Sequence, residues 1–163
     1  MAEPRKPVVV VSACLGFQAC RFDGALVPDE LVERLKPFVK FVPVCPEVGI
    51  GLGVPRDPIR VVLRNGATRL IQPSSGRDLT DGMVRFARRF LENTGPIDAF
   101  VLKSRSPSCA LTDADRFETA GSETPVSKGP GLFAMALRER LPGTPAEDDR
   151  GLMERRRLPW RHR

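Results

Sequence analysis

The sequence has little of what a histidine-rich metal enzyme, a membrane protein or a disulfide scaffold needs. It carries one histidine, His162, close to its last residue. No two cysteines form a C-x-x-C pair, and the nearest two, Cys14 and Cys20, have five residues between them. That spacing disfavours a closed structural zinc site. No apolar run, the valines at 8–11 included, approaches the length of a membrane span. The opening Met1-Ala2-Glu3-Pro4-Arg5-Lys6-Pro7 lacks the apolar core of a secretory signal, so a cytoplasmic location with no membrane partner is expected. In that compartment the four cysteines should be reduced, not paired as disulfides. Internal repeats and low-complexity tracts are absent as well.

What is present fits one soluble domain. The chain has 163 residues, 41% hydrophobic and 28% charged, enough for a single core and little more. The net charge of +6 favours acidic partners without identifying one. The basic excess is uneven, with six arginines in the last fourteen residues. We expect a domain over 1–149 and a basic tail over 150–163, which suits phosphate backbones or is simply a solvated terminus.

Hydrophobic patterning gives the order of elements. The β-branched run at 8–13 predicts a strand buried on both faces. An amphipathic helix follows over 28–39, then a strand over 39–44. Asn65-Gly66 between two β-branched segments signals a hairpin. Residues 78–92 have the apolar spacing of a helix, 97–103 reads as a buried strand, and 132–140 as a closing helix. The alternation predicts an α/β fold: a three-layer Rossmann-like domain with a mainly parallel sheet and a small β-hairpin. Residues 49–58, rich in glycine and proline, should form a loop over a site. Residues 111–128 show no period and read as a mobile polar stretch.

Three cysteines share one topological position. Cys14 follows the first predicted strand, Cys45 ends the second, and Cys109 lies just beyond the third. In a parallel sheet those positions converge on one edge, where ligands bind. Convergent thiolates suit an iron–sulfur cluster as well as zinc, and a cubane held by three cysteines leaves one iron open as a Lewis acid. From spacing alone, buried or redox-active thiols remain equally open. The flanking small residues would let backbone N–H groups approach bound sulfides. Arg21 and Asp23 also read as a turn-stabilising pair.

The motifs Ser12-Ala-Cys-Leu-Gly16, Cys20-Arg-Phe-Asp-Gly24, the Cys45-Pro-Glu run through Arg56, Lys103-Ser-Arg-Ser-Pro-Ser-Cys109 and Gly129-Pro-Gly-Leu-Phe-Ala134 together resemble the thiouracil desulfidase family, which includes tRNA 4-thiouridine desulfidases. The likeness runs from about residue 8 to 141. Phe22 stands where tyrosine is frequent, and Ala110 where glycine usually follows the last cysteine. The resemblance implies a [4Fe-4S] cluster on Cys14, Cys45 and Cys109, with Cys20 as a neighbour rather than a ligand. It places Glu47 and a serine, taken as Ser106 with Ser104 in reserve, at the catalytic positions, with Ser104 and Asp23 at the substrate. The expected reaction is non-redox hydrolytic removal of sulfur from a thiolated uracil. Relatives with an additional C-terminal domain act on 4-thiouridine in tRNA, and single-domain ones on free thiouracil. The basic tail tips the expectation toward tRNA, with free 2-thiouracil as the alternative. A non-catalytic RNA-binding or iron–sulfur carrier module is the contrasting class.

Overall fold

The computed structural model describes residues 4–26 and 28–157, with the backbone alone over 155–157. The chain runs β1 (Val8–Ser12), α1 (Glu30–Leu35), β2 (Lys40–Val44), α2 (Pro46–Gly49), β3 (Arg60–Arg64), β4 (Ala67–Gln72) and β5 (Arg77–Asp78). It continues through α3 (Thr80–Thr94), β6 (Ala99–Leu102), β7 (Ala114–Phe117), β8 (Ser127–Gly129), α4 (Leu132–Arg140), β9 (Ala146–Asp148) and α5 (Asp149–Arg157). Four strands form a wholly parallel sheet in the order β2-β1-β6-β9.

Strand β1 explains why that sheet is buried on both faces. Val10 packs with Phe100, Leu102, Met83 and Phe133 in the larger core, under α3 and α4. Val9 and Val11 point the other way, to Leu15, Val32 of α1 and Val101, with Leu152 of α5 packed alongside. The two-residue side-chain period of a strand turns one valine run into two half-cores. Helix α1 is begun by Asp29, whose carboxylate accepts from Val32 N at 3.0 Å. The arrangement is the α/β class expected, with helices on both faces of a parallel sheet.

The hairpin is part of something larger than expected. Asn65 and Gly66 both take positive φ, 52° and 77°, as a tight turn between twisted strands requires. Strands β3 and β4 then belong to a five-stranded mixed sheet, β5-β4-β3-β7-β8, that closes the other side of the larger core. The stretch at 111–128, expected to be aperiodic and mobile, supplies β7 and β8. Its connecting loop is held by Arg60, which stacks on the Phe117 ring at 3.9 Å and donates to Ala120 O and Ser122 O. These strands are short and carry few apolar residues, so no hydrophobic alternation announced them. The expected basic tail likewise begins as α5, while 158–163 lie outside the described residues.

Gly131 joins the fold to the Cys109 loop. Its N–H donates to Ala110 O, and Leu132 N and Ala134 N donate to Pro107 O and Ser108 O, so the loop carbonyls satisfy the first turn of α4. A Cβ at Gly131 would lie 2.5 Å from the Ser108 carbonyl carbon. We therefore expect Gly131→Ala to cost about 1–3 kcal/mol in urea unfolding. An unchanged midpoint would show that the loop yields without loss.

Candidate functional site

The carboxyl ends of β1, β2, β6 and β9 lie along one sheet edge, and the residues that follow β1, β2 and β6 line one cavity there. Strand β1 hands over to β2 on one side and borders β6 on the other, which makes this the switch point of the sheet. Ser12 Oγ accepts from Lys103 N at 2.9 Å, and Ala13 N donates to Val44 O at 2.9 Å, tying the three strand ends together. Cys14 follows directly. Cys45 caps the short α2, with Pro46 at its first position. Cys109 sits in a turn built on Ser106, whose Oγ accepts from Ser108 N at 3.2 Å and Cys109 N at 2.9 Å. All three cysteines, with Cys20, line one cavity of about 380 Å³.

Glu47 enters the same cavity with both oxygens engaged. Arg56 Nε donates to Oε1 at 3.1 Å, and Ser108 Oγ to Oε2 at 3.2 Å. The Arg56 side chain is only 3% exposed. Its other nitrogens donate to Gly53 O at 2.8 Å and Cys20 O at 2.7 Å, so one guanidinium fastens the glycine-rich loop, the Cys20 loop and the carboxylate. On the other side Asp149 accepts from Lys103 Nζ at 3.1 Å and Ser104 N at 2.7 Å.

The thiols feel one another. Burial pushes Cys14 up to about 11, with the nearby Cys45 adding to the rise and Lys103 opposing it. Burial likewise pushes the Cys109 thiol up; a Ser12 hydrogen bond opposes this, while Cys14, Glu47 and Cys45 reinforce it. Cys45 is held down at about 6, first by the Cys20 thiol as hydrogen-bond donor, against the opposing effect of burial, then by Val48 N–H and Arg56. The same contact with Cys45, followed by burial, pushes Cys20 up. As a thiol, Cys45 instead points to Cys20 O, with Sγ and the oxygen 3.6 Å apart. Two thiols whose charges burial and repulsion destabilise, Cys14 and Cys109, beside a readily ionised Cys45 fit a bound metal cluster, which holds its ligands deprotonated. Among the described residues no group of three or more His, Cys, Asp or Glu closes around a point for a single ion. A cluster does not need that closure, because each thiolate binds a different iron.

The structure thus brings together Cys14, Cys45, Cys109, Glu47, Ser104 and Ser106 of the residues marked in the sequence. Asp23 is not among the cavity-lining residues; it is exposed, and its carboxylate accepts from Ala25 N at 2.9 Å to close a turn. Three participants escaped sequence reasoning. Arg56 had a signal, as the charged end of a Gly-Val-Pro-Arg loop, but nothing pointed it at Glu47. Ser108 looked interchangeable with Ser106, and Asp149 had no local mark at all.

A family model described as 2-thiouracil desulfurase matches residues 9–149. Uncharacterized protein YbbK of Bacillus subtilis (strain 168) is 32% identical over 110 residues, covering 63% of this chain and 72% of that protein. The solved structure of a [4Fe-4S]-dependent thiouracil desulfidase, TudS (DUF523Vcz), has a TM-score of 0.68 at 28% identity, covering 91% of this chain and 95% of the other. Among the described residues no helix is long and apolar enough to cross a membrane.

The thiol pattern has a direct chemical readout. In cluster-free protein, iodoacetamide should modify Cys45 first, with a rate that rises through about pH 6, since the thiolate is the nucleophile. Cys20→Ala removes the donor and should move that midpoint toward the ordinary thiol value of about 8.5. Peptide mass spectrometry across pH measures both, and equal rates at Cys14 and Cys45 would contradict the assignment.

Proposed function

This chain belongs to the 2-thiouracil desulfurase family, and on that premise we propose that it removes sulfur hydrolytically from a thiolated uracil, with 4-thiouridine in tRNA as substrate. The observation that carries the proposal is the meeting of three thiols and one carboxylate, all from the carboxyl ends of neighbouring parallel strands, in one cavity. Cys14, Cys45 and Cys109 would hold a [4Fe-4S] cluster. When bound, that group supplies an open iron as a Lewis acid for the soft thiocarbonyl sulfur.

The chain's own residues supply the water chemistry. Arg56 and Ser108 each occupy one lone-pair direction of Glu47, which leaves the carboxylate capacity to take a proton from water. Ser106 Oγ accepts two backbone N–H groups, so its own proton is left to donate into the cavity it lines. Ser104 is buried beside Lys103 and aligned by Asp149, in reach of a substrate in the same cavity. The balance is a thione and water giving an oxo group and hydrogen sulfide. Carbon keeps its oxidation state, and no electron donor is needed.

The RNA reading is supported by charge. Arg21 and Arg105 both line the cavity, and among the described residues neither is in an ion pair. The division into a desulfidase domain over 1–149 and a basic segment over 150–163 belongs to this reading, supported by the end of the family match at 149. A cytoplasmic setting suits four free thiols. Free thiouracil is the second reading, favoured by the name of the solved relative.

Anaerobic loading followed by incubation with 4-thiouridine-containing tRNA and with 2-thiouracil tests the proposal: thione absorbance should fall as sulfide appears. Binding without turnover would instead indicate a carrier or RNA-binding module. Glu47→Gln should leave cluster absorbance intact and lower turnover at least about 10²-fold; unchanged turnover would remove Glu47 from the chemistry. Activity on tRNA should fall steeply with added salt while activity on the free base does not. Equal salt responses would count against RNA as substrate.

A further inference from the structure

Among the described residues Phe22 is the one aromatic side chain lining the cavity. The chain has nine phenylalanines and no tyrosine. Among the described residues the others near a partner are accounted for: Phe17 meets Phe41 and Lys36, Phe86, Phe90 and Phe133 pack together, and Phe117 lies under Arg60. Phe22 takes part in none of these contacts and is 39% exposed. A large aromatic left bare beside a cavity is informative in a way that a scattered surface leucine is not.

Its placement is fixed. Phe22 O accepts from Arg56 N at 2.8 Å, and the Arg56 side chain holds Glu47, so one residue links ring and carboxylate. Immediately beyond, Gly24 N donates to Arg21 O at 2.8 Å, and Asp23 accepts from Ala25 N at 2.9 Å, closing the turn that presents the ring. Gly24 has φ of 78°, and a Cβ there would stand 3.7 Å from Val54, itself exposed. The rest of the lining mixes small apolar groups, among them Val44, Pro46 and Ile59, with the polar Glu47, Lys103 and Ser106, and none of the apolar ones offers a flat aromatic face. A flat pyrimidine needs both kinds of surface, an apolar face for its ring and polar groups at its edge.

We propose that Phe22 is the platform on which the substrate's pyrimidine ring stacks, so that it sets the grip on the base and not the rate of the chemistry. This rests on the reading that a thiolated uracil enters this cavity. Asp23 then acts on substrate only by holding the turn that presents the ring.

The test is calorimetric titration of the cluster-loaded protein with uracil, which has no sulfur to lose, alongside steady-state kinetics on 2-thiouracil, with sulfide release also followed on 4-thiouridine-containing tRNA. Phe22→Leu keeps the apolar volume and removes the ring; it should weaken uracil binding about 5- to 150-fold, the range of base–aromatic stacking. KM should rise by the same factor with kcat unchanged, and Phe22→Tyr and Phe22→Trp should restore both. Uracil affinity unaffected in Phe22→Leu, or a fall in kcat at constant KM, overturns the platform. Ring-dependent uracil binding without sulfide release would sink the desulfidase reading and leave the platform standing. Sulfide release with ring-independent binding would sink the platform alone, and neither binding nor release would sink both.

Discussion

Two strands that run parallel must end at the same edge, and β1 runs parallel to a neighbour on each side. That constraint converts three cysteines separated by 31 and 64 positions, Cys14 to Cys45 and Cys45 to Cys109, into neighbours. An antiparallel pairing of β1 with either partner would send one thiol to the opposite end of the sheet. The double-sided burial of Val9, Val10 and Val11 enforces the pairing, because a strand with apolar residues on both faces has to sit inside a covered sheet. Core packing and site chemistry are thus the same fact seen from two ends of one strand.

Charge is handled differently at the two walls of the cavity. Arg56 and Glu47 form a pair with little solvent access, and such pairs rarely add net stability because both ions give up hydration. What the pair provides is orientation, since Arg56 also bonds two backbone carbonyls and cannot swing away. Lys103 and Asp149 are similarly shielded and similarly tied to the backbone through Ser104 N. The carboxylate is held by a side chain nine positions along the chain, and the third thiol's loop by one from a distant stretch of sequence.

The strands β1, β2, β3, β4 and β6, the hairpin turn and the closing helix were legible because each has a local physical signature. A valine run, an Asn-Gly pair and the apolar spacing of α4 each need no distant partner to be recognised. The convergence of Cys14, Cys45 and Cys109 was legible at one remove, from topology. What could not be read depends on tertiary pairing. β7 is a strand because β3 offers it an edge, and Ser108, not Ser106, reaches Glu47 because the turn aims one hydroxyl inward and spends the other on backbone N–H groups. Asp23, placed at the substrate by its motif, turns out to be engaged with its own turn.

The ties from Asp149 and Arg150 to the Cys109 loop have a consequence for biosynthesis. Asp149 holds Lys103 and Ser104, while Asp113, which accepts from Arg105 N, is met by Arg150. A ribosome delivers Cys14, Cys45 and Cys109 well before it delivers these two residues or β9. During that interval the nascent chain carries its thiols without the side chains that later fix their surroundings. Maturation of the pocket therefore waits on the synthesis of Asp149 and Arg150, about forty residues after the last of its three thiols.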